Sequence, residues 1–272
     1  MEPSNTPIDL SLPYWHDYLP LLRDLAEQEF PNCDQLNTLL PEGLSSEDGH
    51  KICFVPSHLL DDEPYERRIY TSGQVSTRLN NWHDLFNALV WIRFPAIKTA
   101  INACHYHAWS EQGDGSRGQL RDALTLFDEC GVIVYSRNLE ILDALAERCW
   151  SDAFLYADFH TDLGLAICGH AMLEKYLSPY KSMTAKALLI HVDSDFMALP
   201  RPEILSCLDE EIAKRLLTGQ ILTKPACLAP LPLAGVPGWW PPGEQSDTEF
   251  YADLQVFRRP PANLIPAPVT SL

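Results

Sequence analysis

The chain has 272 residues, 46% of them hydrophobic, with a formal net charge of −17 and a pI near 4.8. The apolar share supplies an ample core and excludes a wholly disordered chain, while the acidic exterior repels phosphate backbones and anionic headgroups, so neither nucleic acid nor a membrane surface is favoured as a partner. The first residues, MEPSNTPIDLSLPYWHDY, lack the basic stretch and apolar core of a secretory signal, and prolines at 225, 230, 232, 237, 241 and 242 break the longest uncharged run. A cytoplasmic protein with no spanning helix is expected. Eight cysteines without a C-x-x-C pair argue against a zinc ribbon or a dithiol redox motif.

Taken in chain order, Pro13 to Phe30 reads as helical with a break near Pro20. Lys51 to Val55 and Arg68 to Tyr70 read as short strands, the second followed by a Ser72-Gly73 turn. Asn81 to Phe94 is a strong helix, and Pro95 opens another that runs to about Trp109. Arg117 to Cys130 predicts a helix closed by Gly131, with Leu120, Leu124 and Phe127 on its apolar face, and Val132 to Ser136 predicts a strand. Asn138 caps the next helix, whose apolar stripe is Leu142, Leu145 and Cys149. Leu163 to Cys168 is apolar and ends at Gly169, His170 to Tyr176 is helical, and Ala185 to Val192 reads as a buried strand. A last helix from Pro202 presents Ile204, Leu208, Ile212 and Leu216 on one side.

The expected architecture is α+β, a mainly helical single domain with a small sheet. No repeat or glycine-serine linker divides it, so one domain over 1–258 is expected, with the motif-bearing core at about 65–258. A proline-rich C-terminal segment from Lys224 would wrap the core in extended form, anchored by Trp239, Trp240, Phe250, Tyr251 and Phe257, and residues 259–272 would be a mobile tail.

Polar residues inside apolar helices locate the candidate chemistry. His83, Asp84 and Asn87 sit in a helix in which only Asn87 and Arg93 interrupt the apolar residues from Leu85 to Phe94, and a buried imidazole or amide must be hydrogen-bonded or bound to a ligand. Asn81 with Asp84 also fits a capping arrangement. Lys98, Asn102 and His105 form one stripe on the following helix, read as a partly solvated face. Asp128 and Glu129 lie at a helix C-terminus, where the dipole disfavours anions, so an arginine of the same helix or a bound cation is expected to offset them. His170 opens a helix after a strand, which keeps its ring neutral, and Glu174 shares its face.

The stretches TRLNNWHDLFNALVWIRFP, RGQLRDALTLFDE, GHAMLEKYLSPY, PLAGVPGWW and FYADLQVFR resemble, in order and wording, the bacterial family catalogued as domain of unknown function 3025, over roughly Tyr65 to Arg258. The resemblance implies a family found mainly in proteobacteria, with no established activity, cofactor or catalytic residue.

From the residues themselves, the leading expectation is a metal-assisted hydrolase acting on a small anionic substrate. His83, Asp128, Glu129, His170 and Glu174 are the candidate ligands of a divalent ion, zinc or manganese, with His83, Asp84 and His170 as catalytic groups. Asn87, Arg121 and Lys175 are the candidate substrate contacts, Arg121 through its planar fork. The alternative is a non-catalytic ligand-binding or regulatory protein, in which the same groups form a buried network and the aromatic C-terminal segment faces a basic partner. Substrate and oligomeric state are not legible in the sequence.

Overall fold

The computed structural model describes residues 8–26, 30–112, 118–155, 159–240, 245 and 247–272. A 3-10 turn, Pro13–Tyr18, runs into α1 (Leu19–Ala26), so the expected break falls before Pro20, which a helical first turn tolerates. Next come β1 (Cys53–Pro56), α2 (Tyr65–Ser72), β2 (Gln74–Thr77), α3 (Trp82–Arg93), α4 (Pro95–Gln112) and α5 (Gln119–Cys130). The chain then forms β3 (Gly131–Ser136), α6 (Leu139–Glu147), β4 (Leu163–Ile167), α7 (His170–Lys175), β5 (Thr184–His191), α8 (Arg201–Leu217), β6 (Ala229–Pro232) and β7 (Val269–Ser271). The fold is α+β, and among the described residues no helix is long and apolar enough to cross a membrane.

β1 and β2 pair in parallel as a small ribbon. The larger sheet runs β4-β3-β5-β6, with β3 and β5 parallel and the pairs β3/β4 and β5/β6 antiparallel. Every residue of β3 is buried, as its β-branched run requires, and α5 and α6 both pack on β3 and β5. α3 lies in the centre with residues 84 to 91 all buried. α8 packs along α4, and its Asp209 carboxylate accepts the N–H groups of Ala96 at 3.0 Å and Ile97 at 2.8 Å, donors that the first turn of α4 leaves without helical partners. Ile204, Leu208, Ile212 and Leu216 are all buried, as their spacing predicts.

Three expectations need correction. Arg68 to Tyr70 is helix, not strand: α2 starts after Pro64 and ends at Gly73, whose φ of 71° makes it a left-handed cap rather than a turn residue. Gly131 closes α5 as expected, with extended backbone that starts β3 at once; Arg117, at the expected start of this helix, lies outside the described residues. Cys149 falls beyond α6, which ends at Arg148 in the left-handed region, so only Leu142 and Leu145 of the proposed stripe belong to the helix. The C-terminal segment does more than wrap. It supplies β6, and residues 259–272, expected as a mobile tail, end in β7, paired parallel with β5 from Leu189 to His191. Phe250, Tyr251 and Phe257 are buried in the core and Trp239 and Trp240 partly so, as expected of anchors.

Candidate metal centre

Two glycines bring the candidate residues together. The Gly131 carbonyl accepts the N–H groups of Cys168 at 3.1 Å and Gly169 at 2.9 Å. A Cβ on Gly169 would stand 2.3 Å from the Gly131 nitrogen, and one on Gly131 would stand 2.2 Å from the Phe127 carbonyl oxygen, so neither position accepts a larger residue without a shift of backbone. This close approach sets the C-terminal turn of α5, with Asp128 and Glu129, beside the first residue of α7, His170. α7 also packs on α3, whose first turn carries His83.

The geometry sorts the five expected ligands into two layers. Ligating atoms of His83, Glu129 and His170 all lie within 4.8 Å of one another. His170 Nε2 is 3.1 Å from His83 Nε2 and 3.5 Å from Glu129 Oε2, close to the separation of about 3.3 Å between neighbouring donors of a tetrahedral site with bonds near 2.0–2.1 Å. Glu174 and Asp128 sit behind the two imidazoles. Glu174 Oε2 is 2.9 Å from His83 Nδ1, and Asp128 Oδ2 is 3.7 Å from His170 Nδ1.

Proton bookkeeping on the two rings points to a cation. The Glu174 carboxylate only accepts, so His83 donates to it from Nδ1, and as a neutral imidazole it would turn the lone pair of Nε2 toward His170. If His170 donates from Nε2, its own bare Nδ1 lone pair is buried without a hydrogen bond and faces the Asp128 carboxylate. Such an unmet buried group costs about 1–3 kcal/mol. The other tautomer turns the His170 N–H toward the Asp128 carboxylate, 3.7 Å away, and aims two lone pairs, joined by Glu129, at one point, where a cation would satisfy all three. Burial holds the His170 ring down to about 4, against the opposing pull of Asp128, so at neutral pH it is an uncharged donor. A carboxylate hydrogen-bonded behind an imidazole, as Glu174 is behind His83, is the usual means of fixing its tautomer and orientation at a metal.

Behind this pair the polar groups form a chain. Lys98 Nζ reaches Asp128 Oδ1 at 2.5 Å and Asn87 Oδ1 at 2.9 Å, and Asn87 Nδ2 donates to the Tyr65 hydroxyl at 2.8 Å. Lys98, Asn102 and His105 are all buried, 3 to 4% exposed, so the stripe read as a solvated face lies inside the protein. The offset for Asp128 comes from Lys98 of the neighbouring helix rather than from an arginine of its own. Asp84, expected to be catalytic, accepts from the backbone N–H of Arg78 at 2.6 Å and from its guanidinium at 2.7 and 3.0 Å, and Asn81 caps α3 as anticipated. Of the expected substrate contacts, Asn87 lines the cavity beside the cluster, whereas Lys175 is exposed with Nζ 3.9 Å from Cys130 Sγ, and Arg121 is half-buried outside the lining.

That cavity has a volume of about 470 Å³, within the range of small-ligand sites. Its wall includes His83, Glu129 and His170, and also Tyr65, Glu66 and Arg78, which the sequence did not single out. Glu66 left an indirect signal: the buried Lys98 and Asn102 had to find partners on another element, and Asn102 Nδ2 donates to Glu66 Oε2 at 2.8 Å.

Burial raises the Glu66 carboxyl to about 7, opposed by the Asn102 hydrogen bond. A carboxyl held higher in the fold than in the unfolded chain contributes stability that is full below about pH 4.5 and is lost as pH rises through about 7. Glu66→Gln is therefore expected to flatten the fall in unfolding free energy between roughly pH 5 and 8, measured by urea titration. An unchanged slope would contradict the assignment.

Residues 52–260 match the family described as "Protein of unknown function (DUF3025)". The chain belongs to the DUF3025 family. The match includes all five residues expected as ligands and extends the resemblance read from the sequence at both ends. No curated protein and no solved structure matches the chain. What this DUF3025 fold does must therefore be argued from its site.

Proposed function

We propose that the chain is a metal-dependent hydrolase of a small substrate, with His83, His170 and Glu129 holding a divalent ion in the wall of the central cavity. One observation carries the reading: two imidazole nitrogens at 3.1 Å, one of them bare whichever tautomer His170 adopts, converge with a carboxylate where a ligand-sized cavity opens. Two histidines and a carboxylate suit zinc or manganese, and a divalent ion there would supply Lewis acidity and a nucleophile drawn from water at neutral pH. Glu174 fixes the His83 ring through its 2.9 Å contact with Nδ1, Asp128 stands 3.7 Å behind His170 Nδ1, and Lys98 neutralises Asp128. The cavity wall carries Glu66, Asp84, Asp128 and Glu129 against Arg78, so an anionic substrate would be admitted only with the ion in place.

A binding protein without turnover is the second reading, favoured by one feature: Asp84, Arg78, Lys98 and Asn87 are already satisfied by one another or by neighbouring protein groups. The two readings separate on protein stripped by chelator and reloaded with zinc or manganese, assayed on nitrophenyl acetate, nitrophenyl phosphate and bis-nitrophenyl phosphate. The hydrolase reading expects turnover that follows metal content and disappears in His170→Ala. Stoichiometric metal without turnover on any of the three would favour binding alone.

A further inference from the structure

The cavity beside the cluster is also lined by Glu66, from α2, a helix that supplies none of the three ligating atoms. The other carboxylates of the wall are committed: Asp84 to Arg78, Asp128 to Lys98, and Glu129 to the cluster. Glu66 is held differently. Its Oε2 accepts from Asn102 Nδ2 at 2.8 Å, and the same nitrogen donates to the Glu66 backbone carbonyl, also at 2.8 Å, so a neutral amide clamps the carboxyl in place. Among the described residues no lysine or arginine forms an ion pair with it. A carboxyl that is fixed in position, opens on a ligand cavity and has no cationic partner is free to gain and lose a proton without breaking a salt bridge.

We propose that Glu66 is the proton-transfer group of this site, taking a proton from the molecule bound at the His83–Glu129–His170 cluster and returning it to the leaving atom. The proposal rests on the metal-dependent reading above. In the first half of the cycle an O–H bond of the bound water breaks, the oxygen uses its electron pair to bond the electrophilic atom of the substrate, and the proton moves to a Glu66 carboxylate oxygen; in the second half the bond from that atom to the leaving atom breaks, its electron pair goes with the leaving atom, and that atom takes the proton from Glu66, so no oxidant or reductant is needed. The charged surroundings agree. Burial lifts the carboxyl, Asp128 lifts it further, and Asn102, Lys98 and Arg121 oppose them; the result, about 7, is the value that proton transfer at neutral pH calls for, and the phenol beside it, Tyr65, is pushed far too high to compete.

Acetohydroxamic acid tests this without any turnover, because it binds a metal as its anion and must give up a proton to do so. Zinc affinity is measured first, by isothermal titration, on wild type and Glu66→Gln, and hydroxamate affinity is then measured on the zinc-loaded proteins. Glutamine still accepts from Asn102, so the variant is expected to fold and to bind zinc as wild type does, yet to lose at least about tenfold in hydroxamate affinity, with Glu66→Asp recovering part of it. Equal hydroxamate affinity in wild type and Glu66→Gln, or none for zinc-loaded wild type, would overturn the role of Glu66. Loss of zinc in Glu66→Gln would overturn it too, by making Glu66 part of the cage. Wild type that binds no zinc would instead remove the metal reading, and this assignment with it.

Discussion

Replacing His83 or His170 by alanine is expected to remove bound zinc or manganese while the protein stays folded. Each variant deletes one of the two imidazole lone pairs and leaves a single histidine with Glu129, too few ligands for a stoichiometric site. The supporting layer should give a graded result. Glu174→Gln keeps shape but accepts more weakly at His83 Nδ1, so its affinity is expected to fall about 10–100-fold, less than for either alanine variant. Elemental analysis of protein purified without chelator or affinity metal, followed by competitive titration, ranks the three. Full metal content in either alanine variant would contradict the assignment, and a Glu174→Gln loss equal to that of His83→Ala would place Glu174 among the ligands. The fold should survive His83→Ala because that side chain is about one-third exposed; His170, at 6%, leaves a small cavity in a region already held by the Gly131–Gly169 contact.

Lys98→Ala is expected to cost about 3–5 kcal/mol of stability, the effect of stripping the partner from a buried charge. The Lys98 side chain is 4% exposed and that of Asp128 15%. Burial alone would push the Asp128 carboxyl up; the Lys98 ammonium beside it, together with the His170 and His105 rings, holds it below its ordinary value. A depressed carboxyl contributes stability above its unfolded value, near pH 4, and loses it as pH falls through the folded value. Without Lys98 the sign reverses, and the variant should weaken as pH rises from about 4 toward neutral. Lys98→Met combined with Asp128→Asn removes both charges and should recover most of the loss in urea unfolding at pH 7. A Lys98→Ala penalty below about 1 kcal/mol would mean that water reaches the pair and that the polar chain behind His170 is not buried.

Local pattern reached far into this fold where a single element decides the matter. The apolar run from Leu85 to Phe94, interrupted only at Asn87 and Arg93, marked α3 as central, the Leu163 to Gly169 run placed His170 at a strand-to-helix junction, and the spacing of Ile204, Leu208, Ile212 and Leu216 gave the buried side of α8. Pairing between elements was less visible. Arg68 to Tyr70 looked like a strand because three residues carry too little period to distinguish the two states, and the flanking Pro64 and Gly73 that frame α2 act as caps. The ends of the chain's sheet were hidden for a similar reason: β6, Ala-Pro-Leu-Pro, and the three residues of β7 are strands only because β5 offers them an edge. At the site, the sequence named His83, Glu129 and His170 but could not rank them against Asp128 and Glu174, since the layering depends on which ring nitrogen each carboxylate meets. Arg121 and Lys175 drew notice through charge alone, whereas Glu66 and Arg78 did not, because a lone acid or arginine in a polar stretch carries no periodic signal.

Anomalous diffraction at the zinc edge, on crystals grown with zinc, decides whether His83, Glu129 and His170 hold one ion. One strong peak is expected about 2.0–2.1 Å from Nε2 of both His83 and His170, with a Glu129 oxygen completing the set. Full zinc exposure that leaves the two nitrogens about 3.1 Å apart with no peak between them, or a peak at other residues, would contradict it.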